Sequence, residues 1–422
     1  MAAMTAKSII VLGAGVVGTT TAYKLAMDGH DVTVIDAEDG AAMMTSYANA
    51  GLVTPGHAFA WASPAAPKMM MRSQWRGDQA IRLRLRPSWR QWKWMFRFLR
   101  ECTAARARHN TAITADLCRF SQLHLHRIRH ESGISYDEKS GGLIYFYRNA
   151  NGYQAATRKT DMLRANGTTV EELSPRQMVG RDPGLFKAES LVAGALFAPG
   201  DESGDAHMFT SALAKIAQDK GVKFAFNTRI RRLVRDGDSI ARVETDKGNF
   251  TADAYVLCLG VNSPDLVKPL GIDLPIYPVR GYSVTLPITD RATAPRMGGI
   301  DQDNLLAYCP MGDRLRITAT AEIGGYDRRF RPKDFKVMME KARSLFAHCA
   351  DFSQPRYWVG LRPMTPNGIP VVSQSPIDNL WLNVGHGYLG WTMASGCAAI
   401  TADIIAGRTP NHDIGGLTYG HG

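Results

Sequence analysis

The chain alternates short apolar runs with segments of helical period. Residues 9–12 are apolar and rich in β-branched side chains, which predicts a buried strand. A helical pattern follows to Met27, and Gly29 is placed to stop it. Residues 31–36 read as a second strand. Later helices are expected over 103–131, 151–166, 206–220 and 333–347. Strand signals fall at 142–147, 222–226, 230–234, 239–245, 249–251 and 254–260, with a turn at 199–205. Residues 275–282 cross to an antiparallel segment, continued by strands at 304–309 and 314–321. A last strand at 380–384 passes through a Gly-rich turn into a helix ending near 405. Residues 57–75, rich in Ala, Pro and Met, show no period and read as a loop or lid. The pattern is α/β, with a parallel sheet and a second, antiparallel region.

The turn after the first strand reads Gly13-Ala14-Gly15-Val16-Val17-Gly18. Gly13 permits the tight turn, Gly15 lets the backbone approach a pyrophosphate, and Gly18 lets helix and strand pack closely. The helix N-terminus faces the phosphates. Asp36 ends the second strand, where a carboxylate accepts hydrogen bonds from ribose hydroxyls. An acid there favours FAD or NAD over NADP. Two further segments carry candidate chemistry. Residues 45–52 combine hydroxyls, small side chains and Gly51, so that backbone amides and Ser46 could meet a phosphate or a flavin ring; a surface turn is the competing reading. Residues 383–396, Asn-Val-Gly-His-Gly-Tyr-Leu-Gly-Trp-Thr-Met-Ala-Ser-Gly, offer a second helix N-terminus to an anion or an electron-rich ring edge.

At 422 residues the chain is long enough for two domains. The six cysteines are scattered without a C-x-x-C, suggesting neither zinc nor a disulfide framework, and a reducing, cytoplasmic compartment is expected. His109, His124, His126 and His130 read as structural or solvated. No apolar stretch reaches 18 residues, and the N-terminal apolar run belongs to the βαβ unit rather than to a signal peptide. The net charge of +11 comes without a nucleic-acid-binding motif, so attraction to an anionic membrane or acidic partner is the sharper reading. Residues 82–100 mix arginines with Trp89, Trp92, Trp94, Phe96 and Phe98 behind a possible Ser88 cap. Such a helix either lies on a membrane surface or packs Trp89, Trp92 and Phe96 on the protein's own core.

With these motifs in hand, the chain resembles the flavin-dependent D-amino acid dehydrogenases, within the glycine oxidase and D-amino acid oxidase group. The resemblance spans residues 8–408. It rests on VLGAGVVG at 11–18, TSYANAG at 45–51, ECTAAR at 101–106, KPLGIDLPIYPVRGYS at 268–283, GLRPMTPNG at 360–368 and GHGYLGWTMASG at 385–396. It implies a Rossmann-like FAD-binding domain of glutathione-reductase type, assembled from 1–62, 196–282 and 354–422. A substrate domain of antiparallel sheet and helices would come from 63–195 and 283–353. Non-covalent FAD would be held by Gly13, Gly15, Val16, Val17, Gly18, Asp36 and Ala37 on the ADP side. Ser46, Asn49, Ala50 and Gly51 would lie near the pyrophosphate and ring, Ile230 by the adenine, and Gly260 at the end of the middle strand. Gly385, Gly387, Tyr388, Leu389 and Gly390 would lie beside the ring's pyrimidine edge, with His386. No metal is implied.

The resemblance also implies the chemistry. Arg362 would pair with the substrate carboxylate through a bidentate fork, Tyr308 would add a hydrogen bond, and His386 would sit beside the flavin. Hydride would pass from the α-carbon to flavin N5, and the imino acid would hydrolyse to a 2-oxo acid and ammonia. Electrons would go to a quinone or other carrier, with peripheral contact at the inner membrane. Two departures open an alternative. Thr318-Ala319 stands where many D-amino acid dehydrogenases have Gly-Gly, and Tyr308 gives the site a glycine-oxidase look. Secondary amines such as D-proline, D-hydroxyproline or N-substituted glycines are then candidates, with oxygen or a carrier as acceptor. An NAD-linked dehydrogenase and a non-catalytic flavoprotein are the competing classes.

Overall fold

The computed structural model describes residues 6–72, 81–165 and 167–420. Strand Ser8–Leu12 runs into helix Val16–Met27 and on to strand Asp31–Ile35, as the apolar pattern requires. These strands centre a six-stranded sheet ordered Val371–Gln374, Leu380–Val384, Ala254–Leu257, Ser8–Leu12, Asp31–Ile35, Lys223–Ala225. All pair in parallel except the edge strand Val371–Gln374. The first strand buries both faces, which is why it reads as a continuous apolar run rather than an alternation. Ile9 and Val11 join the core beneath helices Val16–Met27, Ala206–Asp219 and Gly390–Ile405. Ile10 and Leu12 join the opposite core, under the small sheet Ile230–Asp236, Ser239–Thr245 and Gly248–Phe250.

A second sheet of nine strands is ordered Arg356–Met364, Tyr277–Pro287, Arg314–Ile323, Leu306–Met311, Gly299–Asp301, Leu143–Tyr147, Gly194–Ala198, Glu171–Leu173, with Ile81–Leu83 added alongside Arg314–Ile323. It is mostly antiparallel. One face packs on helix Lys336–Phe346 and the turns around Pro183–Leu191. The other faces a large cavity shared with the parallel sheet. The cut expected at 282 falls inside Tyr277–Pro287, and Arg356–Met364, expected with the cofactor domain, lies at the edge of the antiparallel sheet.

Two other expectations change. The 57–75 segment is not all loop: Pro55–His57 is a short turn of helix and Ala66–Arg72 a regular one, while 73–75 lie outside the described residues. Residues 82–100 divide into strand Ile81–Leu83 and helix Trp89–Glu101. Ser88 is the N-cap by position but makes no side-chain capping bond. This helix is aromatic on both sides, and the buried side is not the expected one. Trp94 and Phe98 stack at 5.1 Å in the core, and Trp94 Nε1 donates to Met364 O at 2.8 Å. Only that side gives a buried indole N–H an acceptor. Trp89, Trp92, Phe96 and Leu99 face outward, Trp89 at 80% exposure and Phe96 at 65%. No helix among the described residues is long and apolar enough to cross a membrane.

Candidate active site

The cavity, about 710 Å³, lies between the two sheets. Its floor begins at the first βα turn. Gly13 takes φ +109°, a left-handed conformation that side chains rarely adopt. A Cβ on Gly18 would stand 1.9 Å from Gly13 O, so helix and strand approach only because this residue has no side chain. A Cβ on Gly15 would instead meet little but Ser46 Oγ, at 3.6 Å. Ser46 Oγ accepts from Val16 N at 3.1 Å and ties the 45–51 loop to the helix N-terminus. Asp36 accepts from Ala14 N at 2.6 Å and Glu38 N at 2.9 Å. Burial raises its pKa, and these amides work against the rise.

The roof follows a row of register partners crossing six strands, Tyr145, Ile300, Ala307, Thr318, Ser283 and Trp358, of which all but Tyr145 line the cavity. At about 4.8 Å per strand it spans roughly 24 Å. The middle positions are small, Ala307, Thr318 and Ser283, so the sheet leaves space there. The ends are aromatic: Trp358 on one side and, on the other, Tyr145 stacked on His57 at 4.5 Å. His57 Nε2 pairs with Gln302 at 2.9 Å, and burial pushes its pKa down to about 4. Thr320 is the unpaired residue of a bulge opposite Gly281–Tyr282. It lines the cavity at φ +61°, a costly conformation for a β-branched residue.

Arg362 projects from strand Arg356–Met364 into the cavity. Its guanidinium lies against Gly281, where a Cβ would come within 2.8 Å of Cζ. Among the described residues it has no hydrogen-bond or ion-pair partner, and burial pushes its pKa down to about 10. A cation without a partner, opening onto a cavity, is stabilised by any anion that enters. His386 also lines the cavity, and burial pushes its pKa down to about 3, so its imidazole is neutral in ordinary buffers.

Most of the residues singled out from sequence line this one cavity: Gly13, Gly15, Val16, Val17, Asp36, Ala37, Ser46, Asn49, Ala50, Gly51, Gly260, Arg362 and residues 386–390. Gly18 and Gly385 shape its backbone without lining it. Ile230 stands off the wall, on the small sheet, although the neighbouring chain is tied to Asp36 through Thr228 N at 2.8 Å. Tyr308 is a correction. Strand side chains alternate, and Ala307 faces the cavity, so Tyr308 points the other way. It is fully buried in the opposite core against Phe346, at 5.1 Å, and its hydroxyl has no partner among the described residues. It cannot hydrogen-bond a substrate in the cavity, and the secondary-amine reading keeps only Thr318-Ala319, which line the cavity. Reading the motifs also missed the roof apart from Thr318, because its residues are scattered over six strands, and missed His57 and Gln302.

The cavity fits a dinucleotide cofactor. Four buried polar atoms on its wall, Ser283 Oγ, Asn383 Oδ1, His386 Nε2 and Trp391 Nε1, have no hydrogen-bond partner among the described residues. Such atoms are costly unless a ligand satisfies them. The glycine cradle at 13–18 supplies the pyrophosphate end. Residues 8–404 match the family model described as DAO, FAD dependent oxidoreductase. The chain belongs to this family. Over 413 residues, 98% of this chain and 99% of the relative, it is 44% identical to D-amino acid dehydrogenase 2 of Mesorhizobium japonicum. It is 40% identical to a D-amino acid dehydrogenase of Paramagnetospirillum magneticum, over 97% of each chain. Among solved structures, glycine oxidase from Geobacillus kaustophilus superposes with a TM-score of 0.76 over 99% of both chains at 21% identity, a likeness of fold. The cofactor is therefore FAD, and the NAD-linked reading falls. Asp36 and the 13–18 cradle would hold its ADP half, and residues 45–51 and 386–390 its ring.

Proposed function

We propose that this protein oxidises D-amino acids to imino acids, which hydrolyse to 2-oxo acids and ammonia, and that the electrons pass to a carrier or quinone. The observation that carries the reading is the guanidinium of Arg362 at the cavity wall, without a partner among the described residues. It suits a bidentate grip on an α-carboxylate. The names of the similar dehydrogenases supply the D-amino acid and the preference for a carrier. FAD, when bound, accepts the hydride equivalent from the α-carbon. The protein's own part is to orient and desolvate the substrate. Arg362 holds the carboxylate, the small roof residues leave space for the substrate's α-carbon, and neutral His386 offers a hydrogen bond without adding charge. The test is anaerobic mixing of the holoenzyme with D- and L-amino acids. Bleaching of the flavin by several D-amino acids is expected, and failure of every D-amino acid to bleach it would falsify the reading.

The same proposal includes contact with an anionic membrane surface through helix Trp89–Glu101. Its outward face, Trp89, Trp92, Phe96 and Leu99, is apolar and exposed. The basic flank is partly neutralised within the protein. Arg90 pairs with Asp265, and Lys93 and Arg97 pair with Asp273 at 2.9 and 3.1 Å. Arg100 has no ion-pair partner among the described residues. The overall charge of +11 supplies the longer-range attraction, and the aromatic face supplies most of the hold.

A further inference from the structure

We propose that Trp358 sets which hand of amino acid the site admits: its indole closes one side of the slot at Arg362, and the small roof residues on the other side take the substrate's side chain. This rests on the D-amino acid reading above and names the residues that enforce it. Two glycines opposite one another build the slot. Gly281 and Gly360 are register partners on neighbouring strands, and each has a larger side chain folded over it. A Cβ on Gly360 would stand 2.0 Å from Trp358 Cη2, and one on Gly281 would stand 2.8 Å from Arg362 Cζ. Opposed Cβ positions in an antiparallel pair are about 4.5–5.5 Å apart, so the benzo edge of the indole and the guanidinium lie side by side. Both residues line the cavity.

The two sides of the guanidinium differ. Trp358 stands on Arg356–Met364, the strand at the edge of the antiparallel sheet. In the opposite direction the roof runs over Ser283, Thr318 and Ala307, none larger than threonine, to Ile300. From Gly281 to the strand of Ile300 is three strand steps, roughly 14 Å. A side chain laid along this row meets no bulky roof residue before Ile300; laid the other way, it meets the indole. The handedness follows from two fixed points. The carboxylate is held on Arg362, and the α-hydrogen turns away from the roof, toward residues 45–51 and 386–390. With those two fixed, inverting the α-carbon exchanges the places of the amine and the side chain. Only one hand puts its side chain over the small row. The other drives its side chain into Trp358, where only a group as small as an amine fits.

The test reads binding rather than turnover. D- and L-phenyllactate carry the carboxylate and a large side chain, with a hydroxyl in place of the amine. Each is titrated calorimetrically into the FAD-loaded enzyme, anaerobically and without an electron acceptor. The unaltered enzyme is expected to prefer the D hand. Trp358→Ala is expected to shrink the D-to-L ratio of affinities at least tenfold, by tightening the L hand. Trp358→Leu, which keeps an apolar wall without the ring edge, is expected to shift the ratio in the same direction and serves where the alanine variant does not take up FAD. Ala307→Leu, which narrows the row, is expected to weaken D-phenyllactate at least tenfold and D-lactate far less. An unchanged D-to-L ratio in the Trp358 variants, equal weakening of both hands, or equal loss of phenyllactate and lactate in Ala307→Leu overturns the proposal. An unaltered enzyme that prefers the L hand removes the D-amino acid reading instead, and relaxation of that preference in Trp358→Ala still supports the wall. An unaltered enzyme with no preference overturns the proposal.

Discussion

At the scale of single residues, Arg362 and Tyr308 make opposite predictions. Arg362 has no partner among the described residues, so its charge is open to an anion that enters the cavity. Arg362→Lys keeps the charge and loses the fork. One charged hydrogen bond is worth roughly 1.5–3 kcal/mol, so KM for every carboxylate substrate should rise about ten- to a hundredfold. Gly281→Ala should act in the same direction, because its Cβ would displace the guanidinium. Unchanged KM in both variants would mean that Arg362 is structural. Tyr308→Phe should leave steady-state kinetics within about twofold. It should also raise stability by about 1 kcal/mol, because it removes a buried hydroxyl with no partner among the described residues. Denaturant midpoints and KM measured side by side check this, and a large loss of activity would contradict the placement. The arginine was legible from its motif. The tyrosine was misread because a motif names a residue type without saying which side of a strand it takes.

At the scale of elements, the junction of the first strand and helix depends on Gly18. A methyl group there would overlap Gly13 O at 1.9 Å and push the helix off the sheet. Gly18→Ala should lose FAD affinity and melting temperature together, and an equilibrium dialysis constant unchanged from the parent would refute the role. Helix Trp89–Glu101 makes a second element-level prediction. Since Arg90, Lys93 and Arg97 are paired within the protein, vesicle binding should depend less on salt than the basic sequence suggests. Replacing Trp89, Trp92 and Phe96 together with alanine should abolish co-sedimentation while leaving dye-linked turnover in place. Strong binding by the triple variant would place the contact elsewhere.

At the scale of the whole molecule, a buried cluster ties the antiparallel sheet to the turn Pro55–His57. Asp201 accepts from Tyr145 OH at 2.5 Å and Gly56 N at 2.7 Å, yet burial pushes its pKa up to about 7. In the unfolded chain the same carboxyl titrates near 4. Between these values the folded state binds the extra proton, so this group's contribution to stability falls as pH rises from about 4 to about 7, by up to about 1.4 kcal/mol per pH unit. Asp201→Asn should flatten that segment of the stability–pH curve, measured by denaturant unfolding across the range. An unchanged slope would show that Asp201 is ionised in the fold.

The sequence by itself determined the local devices. The strand–turn–helix at 8–27, the acid at 36 and the Gly-His-Gly turn before the last helix are encoded by neighbours a few residues apart, where steric and hydrogen-bond demands act directly. Only the tertiary structure decided which way those devices face. Tyr308 and Ala307 differ by one position, and the sheet's packing, not the strand's composition, set which of them meets the cavity. Helix Trp89–Glu101 has two aromatic sides, and an acceptor from a strand some 270 residues away, Met364 O, selected the one to bury. The roof is six residues from six strands, whose small central side chains become a binding space only when register aligns them. Burial, partner supply and register are long-range quantities, and no local pattern carries them.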